Sequence, residues 1–135
     1  MAWLIAPYIS REEYECPCCK TLPPDFGGEI YNALFDDFSI IRARWGKPIP
    51  ISSGYRCPTY NKRVGGAGLS IHQFGLALDC DVNSVTEVNR LHRVIEEVTP
   101  HLRVGKYMGF IHIDRGFSIF PRGSSSWRRG ARWDG

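Results

Sequence analysis

Two stretches of this sequence repeat apolar residues at the helical period, and the segments around them are short runs broken by Gly and Pro. In Glu29–Trp45, residues Ile30, Leu34, Phe35, Phe38, Ile41 and Trp45 recur at helical spacing, and Gly46 follows as a stop. In Val85–Val98 the face is Val85, Val88, Leu91 and Ile95. Ser84 and Glu87 there have capping-box spacing, and Pro100 ends the run. Strand-like runs occur at Pro48–Ser53, Leu76–Val82, Arg103–Val104 and Phe110–Asp114, and Phe117–Phe120 is a further candidate. The prolines of Pro48–Ser53 predict an edge strand. Residues 11–28 read as an irregular entry segment and Gly54–Ser70 as a long loop. Strands and helices mix without regular β-α-β alternation, which predicts an α+β domain with a largely antiparallel sheet flanked by helices.

A chain of 135 residues is long enough for one core and too short for two. One domain is expected over residues 1–121, with a basic, aromatic tail at 122–135. The net charge is +3, and the four Arg and one Asp of that tail account for all of it. The body is therefore neutral, which argues against a general nucleic-acid-binding surface. No apolar run approaches the ~20 residues of a membrane span. The opening MAWLIAPYIS lacks a basic start, and Pro7 interrupts its short apolar stretch, so it does not read as a signal peptide. Synthesis in the cytoplasm and action as a monomer are the expectations.

Chemistry concentrates in Ser70-Ile71-His72-Gln73-Phe74-Gly75-Leu76-Ala77-Leu78-Asp79 and in His112-Ile113-Asp114. A glycine between His72 and Asp79 allows a turn, after which a strand can present the carboxylate. On a strand, His112 and Asp114 point to the same face. Two His and one Asp make a three-ligand zinc set with a fourth position open to water. The plainer alternative at this point is two partly buried histidines and an Asp that caps a turn.

The segment Ser70-x-His72-x-x-Gly75-x-Ala77-x-Asp79 resembles the SxHxxGxAxD signature of the M15 zinc peptidases, the D-Ala-D-Ala carboxypeptidase family. Upstream, Ser53-Gly54-Tyr55-Arg56-Cys57-Pro58, with Tyr60-Asn61 and Val64-Gly65-Gly66-Ala67, is similar to the family's SGYR segment. Downstream, Phe110-Ile111-His112-Ile113-Asp114-Arg115 resembles its closing HxD segment. The likeness runs over about residues 10–133 and extends to small single-domain members, many encoded by phages. It implies the small α+β fold shared with the hedgehog signalling domain. It also implies hydrolysis of peptide bonds in peptidoglycan stem peptides, as a D,D-carboxypeptidase or an endopeptidase of endolysin type. His72, Asp79 and His112 would be the zinc ligands. Arg56 would hydrogen-bond the scissile carbonyl or a substrate carboxylate, and Tyr55, Ser70 and Gln73 would contact substrate. Many members carry an acidic base three residues before the last His; here that position is Gly109. Asp114 is then expected either to act as the base or to orient a ligand, and a catalytically inactive metal-binding module is the alternative for the whole chain.

Three features stand apart from that set. Cys16-Pro17-Cys18-Cys19 contains a C-x-x-C spacing, but Pro23-Pro24 follow too soon for a redox helix, so packed or free thiols pinning a turn are expected. A structural zinc on these thiols with a distant Cys is the alternative, as is a Cys57–Cys80 bridge. Gly65-Gly66-Ala67-Gly68 lacks the ending of a phosphate loop and reads as a flexible loop beside the site. In the tail, Trp127-Arg128-Arg129-Gly130-Ala131-Arg132-Trp133 interleaves cations with aromatics, and packing of the tryptophans back onto the domain is expected over nucleic-acid stacking.

Overall fold

The computed structural model describes residues 4–120 and 127–135. The run Ser124-Ser125-Ser126, whose composition predicts a mobile segment, lies outside the described residues. The chain opens with a short hairpin, β1 (Leu4–Ala6) and β2 (Ile9–Ser10), which runs into a single helical turn, α1 (Arg11–Tyr14). Ser10 and Glu13 form a capping box there, satisfying two backbone N–H groups that the turn cannot. Helix α2 spans Glu29–Trp45 and ends in the left-handed Gly46. Helix α4 spans Val85–Val98 under a Ser84 cap. Both have the bounds their apolar period predicts. Between them lie β3 (Ile51–Ser53), a short helix α3 (Pro58–Arg63) and β4 (Ala77–Asp81). After α4 come β5 (Arg103–Lys106), β6 (Phe110–Asp114) and β7 (Arg132–Asp134).

The main sheet has the order β3-β4-β6-β5-β7. Its first four strands are antiparallel, with β3 at the edge as its prolines require. The last strand pairs parallel to β5, so the sheet is mixed. The class is α+β, as expected.

Period two sorts the sheet into two faces. Leu78 and Cys80 of β4, Ile111 and Ile113 of β6 and Val104 of β5 point one way and are buried in one core with Leu34, Phe38 and Ile41 of α2 and Leu91 and Ile95 of α4. Full burial of each such side chain is worth roughly 1.5–3 kcal/mol. The alternate residues, Asp79, His112, Asp114 and Arg103, share the other face, which no helix among the described residues covers with an apolar stripe.

Three expectations are corrected. Residues 54–70 are not all loop: Cys57 caps α3 and Pro58 opens it, a start signal that a search for apolar periodicity passes over. Phe117–Phe120 is not a strand; a 3-10 turn occupies Gly116–Ser118. The end of the chain is not a separate tail, because β7 completes the sheet; Trp127 and Trp133 pack back onto the domain as expected, against Arg103, with ring centres 4.4 and 5.0 Å from its guanidinium carbon. Gly105 makes room for this, since a Cβ there would overlap the Trp133 indole. No helix among the described residues is long and apolar enough to cross a membrane.

Candidate active site

Strand register brings the first two site residues together. Asp79 on β4 lies directly opposite His112 on β6, and Asp114, two residues on, lies opposite Arg103 of β5. His72 arrives from a 3-10 turn, Ile71–Phe74, that precedes β4. Ser70 caps this turn through its hydroxyl, and Gly75 ends it at φ +75°. No other residue fits at 75: a Cβ would overlap the Pro23 ring and the Tyr14 hydroxyl, which donates to the Gly75 carbonyl at 2.6 Å.

Both imidazoles are fixed from behind. His72 Nδ1 lies 2.7 Å from the Gly54 carbonyl oxygen, and His112 Nε2 lies 2.7 Å from Asp114 Oδ2. These oxygens accept the ring N–H groups, so His72 Nε2 and His112 Nδ1 turn inward, 3.1 and 3.0 Å from Asp79 Oδ1. The three inward atoms lie within 4.8 Å of one another. Burial lowers the pKa of His72 and keeps its ring neutral. An imidazole lone pair therefore faces a carboxylate oxygen, two acceptors whose repulsion a shared cation would relieve. Burial alone would raise the Asp79 carboxyl, but the hydrogen bond from His112 outweighs it and holds the group well below the usual carboxylate range. Burial also opposes charge on His112, yet the hydrogen bonds to Asp114 and then Asp79 prevail and raise its pKa to about 9. Two imidazoles and a carboxylate with outer nitrogens tied down are a donor set suited to zinc.

This cluster forms the floor of a cleft of about 420 Å³. Arg56 stands on one wall. Its Nε donates to Ser53 Oγ at 3.0 Å, and its Nη2 lies 3.6 Å from Asp79 Oδ2. Its backbone N–H donates to the His72 carbonyl at 2.9 Å, so the wall and the floor move as one. Gly65, Gly66 and Ala67 of the glycine loop form part of the rim, and Trp127 and Trp133 the far side.

Of the residues singled out in the sequence, His72, Asp79, His112, Asp114, Arg56 and Ser70 all line the cleft. Tyr55 and Gln73 do not. Tyr55 belongs to the buried core, where its backbone N–H donates to the Tyr14 carbonyl, and Gln73 turns its amide to the Gly68 carbonyl. Asp114 is fully buried and does not pair with Arg115, which donates instead to Asp37. It takes Arg103 on both oxygens at 2.9 Å, the Gly116 N–H on Oδ1 and His112 on Oδ2. Arg103 was not singled out as a site residue. Its signal was a lone cation in the apolar run Leu102–Val104, at the strand position that faces Asp114.

A search of curated proteins finds no match. The family model described as Peptidase M15 matches residues 11–114, a span that contains Arg56 and all three inward-facing ligand atoms. The chain belongs to the M15 peptidase family.

Proposed function

We propose that this chain is a zinc-dependent peptidase that cleaves peptidoglycan stem peptides, as a D,D-carboxypeptidase or an endopeptidase, in the setting of a phage-type lysis or virion enzyme acting on the bacterial wall. The observation that carries this reading is the convergence of His72 Nε2, Asp79 Oδ1 and His112 Nδ1 on the floor of the cleft, with each imidazole held by an outer acceptor. Zinc held by these three atoms would supply Lewis-acid polarisation of the scissile carbonyl and a lowered pKa for water at its open position.

The remaining work falls to the protein's own side chains. Arg56, braced on Ser53 and Asn61, offers a multi-donor cation beside Asp79, where negative charge develops on the carbonyl oxygen during attack. Asp114 orients His112 and keeps the proton on Nε2, so that Nδ1 stays free to ligate. Its four hydrogen bonds favour this orienting role over that of a base, because no oxygen of Asp114 is left to collect a proton. Arg103 balances the charge of Asp114, and the two tryptophans over Arg103 shield the pair from water.

The test is mass spectrometry of purified muropeptides incubated with the protein, with chelator and with zinc restored. Loss of one terminal Ala, stopped by chelator, identifies a carboxypeptidase. An internal chelator-sensitive cut identifies an endopeptidase and its bond. A zinc-loaded, folded chain that gives no product overturns the peptidase reading and leaves a binding module of the same fold.

A further inference from the structure

The structure also gathers thiols from distant parts of the chain. Cys16, Cys18 and Cys19 lie in a tight turn, closed by the Lys20 N–H donating to the Cys16 carbonyl and the Cys16 N–H to the Thr21 carbonyl, with Lys20 in the left-handed region. Cys57 comes from the segment after β3, where it caps α3 and its Sγ accepts from the Tyr60 N–H at 3.4 Å. The four sulfurs lie within 4.8 Å of one another. The Cys16–Cys18 and Cys18–Cys57 separations are 3.6 and 3.4 Å. Cys80, the other cysteine of the chain, is buried on the core face of β4 and is not among them.

We propose that Cys16, Cys18, Cys19 and Cys57 form a second metal site, a tetrathiolate that holds a structural zinc ion and staples the entry segment to the loop carrying Arg56. The spacing of the sulfurs is the main reason. A disulfide would need about 2.05 Å. Four sulfurs around one zinc at about 2.3 Å stand about 3.8 Å apart along each tetrahedral edge. The observed separations lie near the second value. Hydrophobic packing does not explain the cluster either, because Cys18 and Cys19 are exposed, whereas thiols that merely pack are among the most buried side chains. Backbone N–H groups also aim at sulfur: Cys57 donates to Cys16 Sγ at 3.4 Å, and Tyr60 to Cys57 Sγ. Donors of this kind favour the thiolate form that zinc binds.

Binding would release the thiol protons to solvent and join two parts of the chain 41 residues apart in sequence. The need for such a joint is visible in residues 15–28, which contain no helix or strand. The joint also bears on the cleft. Cys57 follows Arg56 directly, and the preceding Tyr55 is tied to Tyr14, two residues before Cys16. A zinc ion here closes that loop on its outer side and fixes the backbone from which the Arg56 side chain reaches the cleft.

The test is metal content and spectroscopy on the full chain. Elemental analysis after desalting is expected to find two zinc ions per chain. The His72→Ala/Asp79→Ala/His112→Ala variant should keep one, and the Cys18→Ser/Cys19→Ser variant should also fall to one. In the cysteine variant the melting temperature should drop by more than about 5 °C. Cobalt substituted into the triple variant should give the near-ultraviolet thiolate charge-transfer band and the strong visible bands of a tetrahedral sulfur site. If that variant does not fold, the same band in the cobalt-loaded wild-type chain decides. Absence of the band, a Cys18–Cys57 disulfide found by mass in the freshly purified chain, or iron in place of zinc would each overturn the proposal. Failure of the peptidase reading would instead leave the thiol zinc in place without turnover.

Discussion

The His72–Asp79–His112 cluster and the thiol cluster lie on either side of the same short segment, residues 54–57, and are held in opposite ways. In the first, two of the three ligands sit on adjacent strands in direct register, and the third is set by a capped turn. Outer partners, the Gly54 carbonyl and Asp114, fix the rings before any metal arrives. In the second, three of the four sulfurs sit on a turn outside any helix or strand, and two of them face solvent. A site built on a sheet is preorganised for chemistry, and its ligands gain little fold stability from the ion. A site built on turns gains its order from the ion itself. Metal removal should therefore cost activity at the first site and structure at the second.

Asp79→Ala is the sharpest way to break that contrast, and it carries the largest effect. It removes the atom that both imidazoles face, so hydrolysis of stem peptides should fall to background. The thiol zinc should remain, and far-ultraviolet circular dichroism should be unchanged. If the variant instead lost both metals together, the two clusters would not be independent. Arg56→Ala comes next. Loss of one preorganised donor to a developing oxyanion costs roughly 10²–10³-fold in kcat. Zinc content should stay constant, because Arg56 supplies no ligand atom; a variant with normal kcat would remove Arg56 from the mechanism.

Asp114→Asn separates the two roles open to that residue. As the partner that orients His112, it should lower zinc affinity and activity together, by roughly 10–100-fold. As a base, it should leave zinc affinity alone and lower kcat by roughly 10²–10⁴-fold. The amide also leaves the buried Arg103 without its counter-charge, so a loss of stability of about 3 kcal/mol or more accompanies either outcome. Comparing zinc affinity with kcat, at a temperature where the variant is folded, decides between them.

Much of the first cluster is legible in the sequence because the residues that make it are local. His72 and Asp79 are seven positions apart in sequence, with Gly75 marking the turn between them, and the alternation His112-Ile113-Asp114 shows its facing parity directly. Both long helices are legible for the same reason: their apolar period lies in consecutive residues. What stays hidden depends on pairing between distant segments. The parallel addition of β7 to β5 rests on a strand of three residues, too short to show a period, and Arg103 gains its place only when β5 is laid beside β6. Tyr55 misleads because it sits inside a motif, yet its ring is used by the core. The thiol cluster is half legible: a crowded Cys16–Cys19 is obvious, but the choice of Cys57 over Cys80 as the fourth member needs the fold.

The smallest effect expected is one of pH on the metal-free chain. With zinc removed, His112 lies between Asp79 and Asp114 as an imidazolium, its pKa raised from 6.5 to about 9. A pKa raised by folding means that the protonated form stabilises the folded state. That contribution is complete below about pH 6.5 and is lost as the pH rises through about 9. The melting temperature of the chelated chain should therefore fall by several degrees between pH 6.5 and 9. The chelated His112→Gln variant lacks the titrating group and should show a smaller fall, which subtracts the contribution of the thiols. With zinc bound at the cluster, the ion takes the place of the inward proton and the His112 part of the pH dependence should vanish. An equal fall in the chelated wild-type and His112→Gln chains would mean that His112 is not charged between its two carboxylates, and that the cluster is less preorganised than its geometry indicates.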